Sequence, residues 1–143
     1  EDGKLSRMKA YWSNEPSLAR DGPSMTRRQM LRWLNNYWDV LRSMDTDRWV
    51  DLYTDEASVE DPVGGPVFRG KAELRTFFDG VKRGVHLLDL SPEKIILVAP
   101  HAAVHFATRV VPRKGPEFEL RGIVTYAFDG SGKVTQMRAY WSR

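Results

Sequence analysis

One acidic residue, Asp61, is a candidate for proton-transfer chemistry. Asp61 follows a short strand-like run, Ala57 to Glu60, and precedes Pro62 at the start of the glycine-rich loop DPVGGP. A carboxylate in an apolar pocket has a pKa suited to removing a carbon-bound proton, provided that the oxyanion formed is stabilised at once. The simpler alternative is that Asp61 only forms a turn with Pro62, and composition alone favours that interpretation.

A tyrosine on the first predicted helix is the second candidate. This helix begins near Thr26, where Thr26 and Gln29 fit a capping box. Its apolar residues recur at helical spacing and define one buried face: Met30, Leu34, Tyr37, Trp38 and Leu41. A buried phenol needs a hydrogen-bond partner, so Tyr37 is either a core aromatic or a group that faces a pocket.

Metal and thiol chemistry find no support in the sequence. The 143 residues include no cysteine, which excludes disulfides and zinc–thiolate sites. His101 and His105 share a strand face but would lie ~13 Å apart, too far to hold one metal ion. His86 is the only other histidine. We predict no metal site and no cofactor.

The composition limits the partners. The net charge of +3 comes from scattered basic residues, which argues against nucleic-acid binding. No apolar run approaches the roughly 18 residues of a membrane helix, and charges interrupt every candidate signal sequence. We therefore expect a cytoplasmic protein that binds neither membrane nor nucleic acid.

The order of the predicted elements indicates an α+β domain. A short second helix carrying Trp49, Leu52 and Tyr53 follows the first, and a third spans Lys71 to Val81. Strand-like segments then occupy residues 85–90, 93–99, 102–112, 117–128 and 133–142. Helices followed by a meander predict one curved antiparallel sheet with about three helices on its concave face. A pocket between the two layers would open at one end.

Two stretches resemble a known family. DEASVEDPVGGPVFRGKAEL, residues 55–74, resembles the segment around the catalytic aspartate of the ketosteroid isomerases (steroid delta-isomerases), and GSGKVTQMRAYWS, residues 130–142, resembles their last strand. These enzymes belong to the nuclear-transport-factor-2-like (NTF2-like), or SnoaL-like, superfamily. The resemblance spans about residues 25–142 and implies that superfamily's cone-shaped fold, which hosts many unrelated functions.

The resemblance also implies roles for two residues. Asp61 matches the general base that moves a proton between two carbons of a steroid. Tyr37 matches the tyrosine that hydrogen-bonds the substrate oxygen as it becomes a dienolate. Of the other family positions, Tyr53 keeps one place in the supporting tyrosine network.

Other positions depart from the family's pattern. Its second oxyanion donor, a protonated aspartate on the penultimate strand, is matched here by Val124. A further supporting tyrosine is matched by Phe78, so neither position can donate a hydrogen bond. Tyr126 lies two residues from Val124 on the same strand face and is either a substitute donor or a pocket wall. The family's pattern places Val104, Phe106 and Thr108 on the pocket side of one strand and Trp141 at the pocket mouth.

Two functions therefore stay open. The first is a ketosteroid isomerase-like enzyme that acts on a hydrophobic, steroid-like small molecule. The second is a non-catalytic ligand-binding or dimerisation domain whose oxyanion hole has decayed. An epoxide hydrolase on the same fold would need an Asp-Arg-Asp cluster, which these strands do not assemble.

The chain opens and closes on similar segments. KLSRMKAYWS, residues 4–13, and KVTQMRAYWS, residues 133–142, share six of ten residues. We predict that residues 1–13 are the last strand of a preceding homologous domain, that residues 14–24 are a linker, and that residues 25–143 are the isomerase-like domain. An unrelated basic-aromatic tail is the alternative. The resemblance implies pairing of such domains, as a homodimer or as a tandem-domain pair.

Overall fold

The computed structural model describes residues 25–142, so the predicted opening strand and linker lie outside the described residues. Three helices and six strands follow one another in the described part of the chain: α1 Arg27–Ser43, α2 Thr46–Val50, β1 Tyr53–Glu60, β2 Val67–Arg69, α3 Gly70–Gly84, β3 Val85–Val98, β4 His101–Pro112, β5 Phe118–Phe128 and β6 Val134–Trp141. The helices pack against the curved sheet, as predicted for an α+β domain.

Local sequence signals fix both ends of α1. Thr26 is the N-cap, and its hydroxyl accepts a hydrogen bond from the Gln29 backbone N–H at 3.0 Å. The helix ends at Ser43, and the C-cap residue Met44 adopts a left-handed conformation with φ of 55°. The predicted buried face is confirmed for four of its five residues, while Leu41 packs against the core but stays partly exposed.

The second helix is shorter than predicted. Asp45 caps its first turn through the Arg48 backbone N–H, but the helix stops at Val50. Tyr53, predicted to lie on this helix, instead begins strand β1, which runs on to Glu60. Tyr53 is completely buried. Tertiary packing therefore determines its conformation and overrides the helical spacing from Trp49 in the sequence.

The predicted antiparallel pairing holds for four of the five strand pairs of the sheet, and one pair is parallel, so the sheet is mixed. Its strand order is β2-β1-β6-β5-β4-β3, and β1 pairs in parallel with β6. After β1 the chain passes through β2 and α3 to the far edge of the sheet. It returns by antiparallel steps and places β6 beside β1 in the same direction. Parallel strands need such a long connection.

Two further strand boundaries differ from the prediction. The segments 85–90 and 93–99 form one strand, β3, with a register shift between Pro92 and Lys94. Proline has no backbone N–H to donate to a neighbouring strand. It is tolerated here because β3 is an edge strand and the pairing is irregular at this position. The three-residue strand β2, which pairs with the end of β1, was not predicted because it is too short to show alternation.

The core lies between the helices and the inner face of the sheet. Its buried residues include Leu34 and Trp38 of α1 and Leu74 and Phe78 of α3. Among residues 25–142, none of the helices has the length and apolar character needed to cross a bilayer.

Candidate active site

A cavity of about 390 Å³ lies between the helices and the inner face of the sheet. Most of its lining is apolar, and six of the lining residues have a nitrogen or oxygen atom in the side chain: Tyr37, Trp49, Asp61, Thr108, Tyr126 and Trp141. Among the described lining residues Asp61 has the one carboxyl group, and none is a lysine, arginine or histidine. Any ligand that fits must therefore be largely apolar, and it can make polar contacts with only a few lining side chains.

The position of Asp61 is set by the loop that begins at the end of β1. The Val63 backbone N–H donates to the Ala139 carbonyl on β6 at 2.8 Å. Glu60, next to Asp61, accepts from the Gly64 backbone N–H at 3.1 Å and from Arg138 Nε on β6 at 3.0 Å. These bonds tie the loop to the adjacent strand, so the carboxylate projects from a fixed backbone.

The Asp61 carboxylate sits in an apolar setting with one side-chain hydrogen bond. Trp141 Nε1 donates to its Oδ1 at 2.5 Å. Burial raises the pKa of Asp61 above the ordinary 3.8, and the Trp141 hydrogen bond, which favours the charged form, offsets part of that rise. The residue is partly exposed and lines the cavity, so a bound ligand could reach it.

On the helical side of the cavity, Tyr37 is part of a buried hydrogen-bond network. Its hydroxyl lies 2.5 Å from the Tyr53 hydroxyl. Trp49 Nε1 donates to the Tyr37 oxygen at 3.3 Å. Burial raises the pKa of Tyr37 far above its ordinary value, with a smaller contribution in the same direction from the charge of Asp61. Tyr37 therefore stays protonated at any physiological pH and keeps a proton to donate.

On the sheet side of the cavity, the position that matches the second oxyanion donor of the ketosteroid isomerases has no hydrogen-bond donor. Val124 is 3% exposed and lines the cavity. Two residues along β5, Tyr126 packs edge-on against the Tyr37 ring with centroids 4.9 Å apart, and its hydroxyl accepts a hydrogen bond from Trp38 Nε1 at 3.3 Å. Burial also raises the pKa of Tyr126 well above its usual range, so this hydroxyl is protonated as well.

A glycine makes room for the aromatic side chains at the Asp61 end. Gly122 on β5 is opposite Phe106 on β4 and Trp141 on β6. A Cβ at Gly122 would come within 3.2 Å of the Phe106 ring, 3.0 Å of the Trp141 Cβ and 2.3 Å of the Tyr140 carbonyl oxygen. Only glycine allows this close approach, so Gly122 contributes indirectly to the placement of the Trp141 indole.

The structure brings most of the predicted site residues to one cavity. Seven of the nine line it: Tyr37, Asp61, Phe78, Phe106, Val124, Tyr126 and Trp141. Tyr53 and Val104 do not, because both lie in the core with no exposed surface. Tyr53 reaches the site only through its hydrogen bond to Tyr37.

The sequence prediction missed the role of Trp49, which both lines the cavity and donates to Tyr37. The signal was present, since a buried indole N–H nearly always finds an acceptor. It also treated Trp141 as a wall, although its N–H reaches the Asp61 carboxylate. For metals, the structure has no group of three or more candidate ligands among residues 25–142.

Comparison with known proteins identifies the family and the fold. The family described as SnoaL-like domain matches residues 34–137. A steroid Delta-isomerase from Nocardioides simplex is 36% identical over 95 residues, which cover 64% of this chain and 72% of that protein.

Solved structures share the fold at lower identity. The epoxide hydrolase/cyclase-like enzyme SalBIII, involved in pyran ring formation in the polyether salinomycin, has a TM-score of 0.72 at 22% identity, covering 80% of this chain and 92% of its own. RV0760c from Mycobacterium tuberculosis has a TM-score of 0.72 at 24% identity, covering 82% and 94%. A computationally designed 17-OHP binder has a TM-score of 0.68 at 23% identity, covering 79% and 92%.

These likenesses confirm the predicted NTF2-like fold. The family match spans well over half of the chain, and the isomerase relative shares more than a third of its residues over the aligned segment. The chain belongs to the SnoaL-like domain family of the NTF2-like superfamily.

Proposed function

We propose that this protein is an isomerase that moves a proton next to the carbonyl of a neutral, hydrophobic, steroid-like substrate. The observation that carries the proposal is the pairing, in one apolar cavity, of a lone carboxylate with a buried, protonated tyrosine hydroxyl. The first is a base and the second is a hydrogen-bond donor, which are the two groups that enolisation of a ketone requires.

Asp61 is the base in this proposal. Its carboxylate removes a proton from the carbon next to the carbonyl. The electron pair of that C–H bond forms a carbon–carbon double bond to the carbonyl carbon, and the π pair of the carbonyl moves onto its oxygen to give a dienolate. The proton held on Asp61 is then delivered to the far carbon of the original double bond, and the carbonyl re-forms. Burial raises the pKa of Asp61 and so makes it a stronger base than an exposed aspartate.

Tyr37 stabilises the dienolate oxygen. A phenol has one proton to donate and two lone pairs that accept. Trp49 donates to the Tyr37 oxygen, and in the arrangement that catalysis needs Tyr53 donates to it too. The Tyr37 proton is then free to point at the substrate. Tyr53 and Trp49 act as positioning residues.

The cavity chemistry limits the substrate class. No lysine, arginine or histidine is among the described lining residues, so nothing there would neutralise a carboxylate or phosphate on the ligand. The charge on Asp61 would repel such a group further. The isomerase relative supports a steroid-like skeleton, and the apolar lining fits one.

The proposed reaction differs from epoxide opening, although one structural neighbour is an epoxide hydrolase/cyclase-like enzyme. Opening an epoxide needs an acid as well as a base at the ring. The described cavity lining has a single carboxylate and no arginine. That inventory favours the isomerase over an enzyme that needs an Asp-Arg-Asp cluster.

The apolar Val124 supports one competing function, a ligand-binding domain without turnover. Loss of one oxyanion donor typically costs ~10² to 10³ in rate. We therefore expect slower turnover than in relatives with two donors, unless Tyr126 supplies the second hydrogen bond.

The test is incubation with a β,γ-unsaturated ketosteroid while the absorbance of the conjugated enone is followed. The proposal predicts enone formation above the uncatalysed rate and retained activity in the control variant Asp55→Asn, which removes an exposed carboxylate from β1, the strand that leads to Asp61. Binding of the steroid without any enone formation would instead establish the ligand-binding domain.

Pairing of two copies stays a prediction. Ile123 and Tyr140 are exposed by 47% and 41% and are direct partners on β5 and β6. Both face away from the cavity, because their neighbours along the strands line it. We expect a homodimer through this outer face, and light scattering of the protein measures it directly, with a monomer at high concentration as the contrary result.

A further inference from the structure

A hydroxyl without a partner lies in the wall of the cavity. Thr108 Oγ1 exposes less than 1 Å² and is the one buried side-chain nitrogen or oxygen among residues 25–142 that has no hydrogen-bond partner. The residue is 6% exposed and lines the cavity. Leaving a buried hydroxyl unpaired costs ~1 to 3 kcal/mol, so its retention in an apolar wall calls for an explanation.

Thr108 lies in the part of the cavity that is otherwise apolar. Its direct partners across the sheet are Leu90 on β3 and Leu120 on β5, and both line the cavity beside it. Val110, the next inward-facing residue along β4, and its partner Phe118 line it as well. Thr108 therefore carries the one hydroxyl among these lining side chains, and a ligand that fills this region otherwise meets hydrocarbon.

The strand register sets the separation from the proposed reaction centre. Val104 is opposite Val124, the wall position that faces the oxyanion in the proposed function. Thr108 follows four residues later on the same strand face, which is about 13 Å at the usual rise per residue. The spacing corresponds to opposite ends of a rigid polycyclic molecule rather than to two groups on one ring.

We propose that Thr108 is a second polar anchor, which hydrogen-bonds an oxygen at the end of a neutral polycyclic substrate remote from the carbonyl held by Tyr37. This inference rests on the proposed isomerase function. A hydroxyl both donates and accepts, so the remote oxygen is a ketone or an alcohol. Substrates whose remote end is a plain hydrocarbon leave Thr108 unpaired and bind less tightly.

The hydroxyl can reach the ligand without movement of the backbone. Its Cβ carries a hydroxyl, a methyl group and a hydrogen atom, and a rotation of about 120° about χ1 moves the hydroxyl to another staggered position. The methyl group and the hydrogen atom move with it, and one of them takes the site that the hydroxyl leaves. Thr108 is thus able to turn towards a polar ligand and to present its methyl group to an apolar one.

The test compares two conjugated ketosteroids that differ only at ring D, one with a second carbonyl there and one with a methylene group. Quenching of tryptophan fluorescence reports binding, because Trp49 and Trp141 line the cavity. The wild-type protein should bind the diketone more tightly, and Thr108→Val should weaken diketone binding about fivefold, the value of one neutral hydrogen bond. Thr108→Val should leave the affinity for the methylene steroid unchanged, and Thr108→Ser, which keeps the hydroxyl, should keep the preference.

Three results separate the possibilities. Binding of both steroids with no change in the affinity ratio in Thr108→Val overturns the anchor and leaves the proposed function standing. Binding of neither steroid by the wild-type protein overturns both. Thr108→Val should also unfold at the same temperature as wild type or higher, because it removes an unpaired buried hydroxyl; a lower melting temperature would mean that the hydroxyl has a structural role and would overturn the anchor.

Discussion

The two walls of the cavity present different chemistry at the point where the substrate oxygen is expected to bind. The helical wall offers Tyr37, supported by hydrogen bonds with Tyr53 and Trp49. The sheet wall offers Val124, which has no hydrogen-bonding group, and Tyr126, whose oxygen already accepts from Trp38. A charge that develops between these walls would be stabilised chiefly from one side.

This difference shows which of the two proposed catalytic groups is held more firmly. The donor is held by a network that is completely buried, so its geometry is fixed before any substrate binds. Asp61, in contrast, comes from a loop and keeps one side-chain hydrogen bond, from Trp141. The base must reach two carbons in turn, and a less constrained carboxylate suits that task.

Removing the donor from the helical wall should have the largest effect. Tyr37→Phe should lower turnover by ~10² to 10³ because no other group on that wall replaces the hydroxyl. Tyr53→Phe should have a smaller effect, since it removes only support for Tyr37. Steady-state assays of both variants check the ranking; a loss below tenfold in Tyr37→Phe would transfer the donor role to Tyr126 on the sheet wall.

Adding a donor to the sheet wall should make the two walls more alike. Val124→Asp places a carboxyl in apolar surroundings, where desolvation should keep it protonated and able to donate. We expect turnover to rise about tenfold or more, and the free energy of unfolding to fall by about 1 to 3 kcal/mol because a polar group is buried. Val124→Leu is the matched control without a donor. Equal turnover in both well-folded variants would argue that the substrate oxygen does not bind near Val124.

Removing the single hydrogen bond to Asp61 should change the pH dependence more than the rate. The Trp141 N–H favours the ionised carboxylate, so Trp141→Phe should raise the pKa of Asp61 further. Because the base must be ionised, the pH at which kcat/KM is half-maximal should move upward. A profile that does not move, or that moves downward, would contradict the assignment of Asp61 as the titrating base.

The smallest expected effect is on stability. Burial raises the pKa of Asp61 in the folded state above the ordinary 3.8. At a pH between the unfolded-state pKa and this raised folded-state pKa, the folded protein therefore binds more protons than the unfolded chain. Wild-type stability should therefore fall as pH rises through that window. Asp61→Asn has no charge to bury and should melt a few degrees higher than wild type at neutral pH, with the difference vanishing below the window. Thermal melts across pH measure this difference, and a neutral-pH melting temperature below that of wild type would contradict it.

Much of this fold follows from local signals, and the parts that do not are set by long-range pairing. The Thr26 cap and the spacing of Met30 and Leu34 predict the start of α1 and its buried face. The parallel pairing of β1 with β6 depends on the path of the whole chain, which no local pattern contains. The site shows the same division. Alternation places Val104 on the inner face, but it cannot reveal that the core covers this residue completely.

Turnover and affinity of Asp61→Asn, measured side by side, test the central claim most directly. The variant keeps the size of the side chain and an oxygen that can accept from Trp141, but it cannot take up a proton. We predict that enone formation falls by ~10² or more, while the dissociation constant for the conjugated ketosteroid stays within about twofold of the wild-type value. Turnover within a few fold of wild type, at unchanged affinity, would place the base elsewhere and contradict the account.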